Sequence, residues 1–139
     1  MNPRLVNASI TSAVSPQDIL AVVRDNLLAL NHVNVSTAFN RLGKMGSRRD
    51  LSPRHLTADK GFQELLDLVR GFVEKQQFDP QHVANTTHGI AKLHEAGRLD
   101  APTDGSVDAA LAALEGEAVR AARDMKPADC GEYAIRVRT

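Results

Sequence analysis

The sequence predicts an all-α fold, a short α-solenoid of about three helix-turn-helix repeats. Three observations carry that expectation. Apolar residues recur at three- and four-residue spacing through most of the chain, the period of a helix with one buried face. Aromatic residues make up 4% and tryptophan is absent, so the core is aliphatic and alanine-rich, which suits closely packed helices better than a sandwich or barrel. One helical segment also recurs three times at near-constant spacing, as in stacked arrays whose units cannot bury their apolar faces alone.

A chain of 139 residues has room for one domain. Residues 1–14 read as an irregular lead-in, and residues 15–139 as a helical-repeat domain with repeats near 15–46, 62–97 and 106–137. Ser15-Pro16-Gln17-Asp18 is a helix start: Ser15 caps, Pro16 fits the first turn, and Asp18 sits where the helix dipole favours an anion. The helix is expected to reach about Leu30, burying Leu20, Val23, Leu27 and Leu30. Asn34 is expected to cap a second helix carrying Val35, Ala38, Phe39, Leu42 and Met45, and Gly46 ends it. Residues 47–60 form a polar connector. The next hairpin pairs a helix bearing Phe62, Leu65, Leu66, Val69, Phe72 and Val73 with one that Asp79 and Pro80 begin. Ser106 is expected to cap an Ala-rich helix with Ala110, Leu111, Leu114 and Ala118. Lys126-Pro127 breaks it before a short final helix holding Cys130, Tyr133 and Val137.

The three second helices superimpose without gaps at offsets of 48 and 47 residues, as 30–45, 78–93 and 125–137. Each opens on a large apolar residue (Leu30, Phe78, Met125). Each has an apolar residue five positions on (Val35, Val83, Cys130), then a small one (Ser36, Ala84, Gly131). Leu42, Ile90 and Val137 restore the apolar face seven positions after Val35, Val83 and Cys130.

The segment FDPQHVANTTHGIAKL (78–93) resembles the conserved stretch of octotricopeptide-type repeats, and of related repeats found upstream of FAST-kinase-like and RAP domains. Phe78, Pro80, Gln81, Val83, Ala84, Asn85, Thr86, Gly89, Ala91, Lys92 and Leu93 carry the match, and residues 34–45 resemble a variant of it. Two departures stand out: His88 takes the place of the usual Trp, and the third copy has Gly131, Glu132 and Tyr133 where Ala-Asn-Thr is expected. The resemblance implies an α-solenoid binding single-stranded RNA in a chloroplast or mitochondrion. The first seventeen residues fit that setting loosely, with no acid, one Arg and several Ser/Thr.

Charge and motifs narrow the rest. Formal net charge is zero, but residues 1–60 hold eight Lys/Arg against four Asp/Glu and residues 61–139 hold nine against thirteen. A neutral whole is unlike a dedicated nucleic-acid binder, yet the basic half leaves room for a local patch. If RNA binds, Arg41 and Lys44 on one helix, Lys92 on the next, and Arg48, Arg49 and Arg54 in the connector are the candidates for phosphates. Asn40 and His88, at equivalent repeat positions, are the candidates for bases. The plain alternative is a solvated helix face plus a charged loop, with Asp50 and Asp59 diluting the patch and no aromatic rings for stacking.

A single cysteine excludes an internal disulfide, and no apolar run is long enough to span a membrane. His82, His88 and His94 project about 120° apart around a helix, so they do not converge on a metal. Residues 123–127 imitate a kinase catalytic loop with none of its companions. No catalytic residue, cofactor site or metal site is assigned, and enzymatic activity is not expected. The second functional reading is a protein-interaction scaffold or accessory subunit. It would dock through apolar surface on the terminal repeats, at Leu111 and Leu114 or Ile19 and Val22, or through the acidic C-terminal half.

Overall fold

Short polar side chains decide where the helices begin. Asn2, Ser15, Asn31, Asp59 and Asp79 each accept a hydrogen bond from a backbone N–H two or three residues on, and Pro3, Pro16 and Pro80 occupy first turns where an N–H is not needed. The computed structural model describes residues 2–46, 56, 57, 59–96, 99 and 106–124, and among them it is all-helical. The helices are α1 (Pro3–Ser12), α2 (Pro16–Asp25), α3 (His32–Lys44), α4 (Lys60–Glu74), α5 (Pro80–Glu95) and α6 (Ser106–Asp124).

Several boundaries differ from the sequence-based expectation. Residues 3–12 of the supposed lead-in form α1, whose Val6 and Ile10 are fully buried. Helix α2 stops at Asp25 rather than near Leu30, because the Asn26 side chain donates to the Val22 carbonyl and a 3-10 turn follows over Leu27–Ala29. Asn31, not Asn34, caps α3. Asn34 is the other half of a capping box, returning its side-chain oxygen to the Asn31 N–H. The second half of the third repeat, including Cys130 and Tyr133, lies outside the described residues.

The helices form two rows. Helix α3 packs on α1 and, most extensively, on α5; helix α4 packs on α2 and α6. Each helix thus meets its counterpart two elements away more closely than its neighbour in sequence, as in a stack of repeats. Between the rows lies an apolar seam including Ile19, Val35, Phe39, Leu42, Phe62 and Leu65, with the Phe39 and Phe62 rings edge-on at 5.9 Å. The seam also takes in Ile19, Leu114 and parts of Val22 and Leu111, the side chains expected to stand exposed at the two ends. The exposed-end expectation fails because α4 covers α2 and accepts α6 on its other side.

Register along the first row repeats closely. Counting from the caps Asn2, Asn31 and Asp79, Val6, Val35 and Val83 take one buried position, and Ala13, Leu42 and Ile90 another. Helices α1, α3 and α5 therefore lie side by side and parallel. Asn34 on α3 donates to the Pro3 carbonyl of α1 at 2.9 Å, and Arg41 donates to the Ala13 carbonyl at the far end of α1 at 2.9 Å. The α3–α5 contact is filled differently, because α5 carries Gly89 at the position of Arg41. A Cβ on Gly89 would lie 2.2 Å from the Phe39 carbonyl oxygen, and one on Gly43 would lie 2.8 Å from the Gly89 Cα. Two backbones touch there, with no room for a side chain.

The turn into α5 is a Schellman closure. The Gln76 N–H reaches the Val73 carbonyl and the Gln77 N–H the Phe72 carbonyl, with Gln76 at φ 56° where glycine is usual. It delivers Phe78, 3% exposed, into the core just before the Asp79 cap.

Gly89→Ala is expected to destabilise the protein by about 2 kcal/mol, since overpacking against backbone outweighs the helix-propensity gain. Gly71, in the last turn of α4 with nothing within 4 Å of its hypothetical Cβ, is the matched control. Gly71→Ala should stabilise by roughly 0.5–1 kcal/mol. Urea denaturation of the two variants measures both.

Candidate nucleic-acid interface

The outward face of the first row is built by the same register that buries its inner face. On α3 the positions turned away from the core are Val33, Thr37, Asn40 and Lys44; on α5 they are Gln81, Asn85, His88 and Lys92. Asn40 and Lys44 thus match His88 and Lys92 across two helices that touch at Gly89, and the nearest backbone atoms to the Gly89 position include the Asn40 nitrogen. Lys44, His88 and Lys92 are exposed and Asn40 is half-buried, so the face is open to a ligand. Lys92 lies 3.9 Å from Glu95, a loose surface contact that constrains it little.

Four of the eight sequence candidates are brought together in this way: Asn40, Lys44, His88 and Lys92. Arg41 is not among them. Its guanidinium turns toward α1 and donates to the Ala13 carbonyl, its Nε is buried without a hydrogen-bond partner, and its work is to tie α1 to α3. Arg41 and Lys44 are three residues apart and share a side of the helix by spacing alone; neighbouring α1 separates their roles. Arg48, Arg49 and Arg54 lie outside the described residues. Asp59, read as an acid diluting a basic connector, instead caps α4 and pairs with Arg24 at 2.8 Å on the other row.

Helix α1 extends the face and was missed from sequence. Thr11 occupies the position of Asn40 and His88, and Arg4 that of Val33 and Gln81; both are exposed. The signal was present in the Asn2-Pro3 start followed by Val6, which repeats Asp79-Pro80 followed by Val83. With ten residues and a mixed polar sequence, α1 gives too short a periodic pattern to be read without the caps as reference.

The rows differ sharply in charge. Helices α1, α3 and α5 carry Arg4, Arg41, Lys44 and Lys92 against one acid, Glu95. Helices α2, α4 and α6 carry nine acids (Asp18, Asp25, Glu64, Asp67, Glu74, Asp108, Glu115, Glu117, Asp124) against five bases (Arg24, Lys60, Arg70, Arg120, Arg123). Four of the five histidines also fall on the first row. Among the described helices, one row is therefore basic and rich in amides and imidazoles, and the other is acidic.

Among the described residues, no group of three His, Cys, Asp or Glu could hold a metal ion, and no helix is long and apolar enough to cross a membrane. No protein-family model, curated protein or solved structure matches this chain.

Arg41→Met should cost about 1–2 kcal/mol in chemical denaturation through loss of the α1–α3 tie. Lys44→Ala and His88→Ala should each stay within about 0.5 kcal/mol, as expected for side chains that hold nothing together.

Proposed function

We propose that this protein is a non-catalytic helical-repeat module that binds single-stranded RNA along the outward face of α1, α3 and α5. The observation that supports this reading most is the sorting of charge between rows: the face bearing Asn40, Lys44, His88 and Lys92 is almost free of acids in a protein of zero net charge. Lys44 and Lys92 can hold phosphates with Glu95 as the one nearby competing carboxylate on these helices, while amide and imidazole groups at repeating positions can meet base edges or stack on bases. The organellar setting comes with this reading from the repeat resemblance alone.

A protein-interaction scaffold is the second reading. Leu28, fully exposed, and Val14, 73% exposed, favour it, since both put apolar side chains into solvent outside the stack. The exposed ends that first suggested it are covered.

Fluorescence anisotropy with a short unstructured RNA across a salt series separates the two. Affinity should fall log-linearly with salt, and Lys44→Glu with Lys92→Glu should weaken binding by about tenfold or more while flattening the slope by roughly one per lost phosphate contact. Reversing the exposed Arg70 of α4 should change neither. Absence of binding at low salt would remove the RNA reading.

A further inference from the structure

At the corner where α3 and α5 begin and α4 ends, four rings meet. His32, the first residue of α3, lies with its ring centroid 4.8 Å from that of His82, in the first turn of α5, the two planes at 65°. His32 is edge-on to Phe72 of α4 at 6.3 Å, His82 lies 6.0 Å from Phe78, and Phe72 stacks on Phe78 at 5.8 Å. The cluster is the joint through which the start of α5 is held to α3 and α4. Neutral imidazoles suit it, because they pack against one another and against phenyl rings as small aromatic groups.

Imidazolium does not suit it. The His82 side chain is 15% exposed, so a charge there loses much of its hydration. His82 sits in the first turn of α5, where the aligned N–H groups already place partial positive charge. A second histidine stands in contact. Against these, Asp79 offers a carboxylate: its Oδ1 lies 3.1 Å from His82 Nδ1, but out of line for a hydrogen bond, and that oxygen already accepts the His82 backbone N–H at 2.9 Å. Among the described residues, Asp79 and His32 are the charged or titratable groups acting on His82; α4 contributes the neutral Phe72.

We propose that His82, packed against the His32, Phe72 and Phe78 rings, forms an acid-sensitive latch, which when neutral holds the start of α5 against α3 and α4 and when protonated releases that corner. Burial, opposed by Asp79 and assisted by His32, holds the His82 imidazole below its ordinary 6.5. The unfolded chain therefore takes up the proton first. Stability is fully present above about pH 6.5 and is lost progressively as pH falls through that value toward the lower folded one. The same corner fixes how α3 and α5 lie beside each other, so the latch would act on the spacing of their outward faces whatever those faces bind.

The test is thermal unfolding of the full chain from about pH 7.5 to about pH 5.5 for wild type, His82→Phe and His32→Phe, together with proton NMR titration of the wild-type imidazoles. Phenylalanine keeps a ring in the cluster and cannot take a proton. The wild-type midpoint should fall in acid, His82→Phe should lose about half of that fall or more, His32→Phe should lose less than His82→Phe, and the His82 resonance should titrate below 6.5. If a variant does not fold, the wild-type titration decides alone. A His82 that titrates at or above 6.5, or a His82→Phe midpoint that falls as steeply as wild type, would overturn the latch.

Discussion

The contact between the Gly89 backbone and the Phe39 carbonyl is the constraint on which the rest of this structure depends. With a Cβ at that position only 2.2 Å from a backbone oxygen, α3 and α5 can come together as they do only if no side chain intervenes. Closeness there sets the lateral register of the outward faces, so that Asn40 and Lys44 lie beside His88 and Lys92. It also brings the starts of the same two helices near enough for His32 and His82 to touch. The α1–α3 contact solves the equivalent problem with side chains, using Asn34 at one end and Arg41 at the other. One register position, filled by Arg41 in α3 and Gly89 in α5, therefore decides whether two helices are joined by a reaching guanidinium or by bare main chain.

Much of the fold was legible because its signals are local. Ser15-Pro16 and Asp79-Pro80 mark helix starts through their own chemistry, and the spacing of Val35, Leu42, Val83 and Ile90 marks a repeat without any knowledge of partners. What was missed depends on neighbours. Nothing in the sequence near Ile19 or Leu114 tells whether another helix covers it, and both are buried because α4 lies between α2 and α6. Asn31 and Asn34 are equally good caps by composition; the reciprocal pair of hydrogen bonds between them settles which is outside the helix. Arg41 looked like surface charge until α1, itself unread, supplied a carbonyl for it.

The candidate interface was half legible for the same reason. Matching Asn40 to His88 and Lys44 to Lys92 needed only the repeat alignment. The separation of charge did not emerge from the linear sequence, where basic and acidic residues divide by chain half rather than by side. Alternation of helices between rows redistributes them: α1, α3 and α5 take almost no acids, and α2, α4 and α6 take most of them. Among the described helices, an even total thus conceals two rows of distinct charge.

The parallel register of α1, α3 and α5 has a further consequence for how such a chain can change size. Their caps fall at Asn2, Asn31 and Asp79, so the backbone returns to the same place in the next layer after 29 residues and then after 48. Growth or shrinkage by whole periods would leave remaining contacts between like neighbours, whereas gain or loss of a few residues inside a helix would slide every later layer out of step.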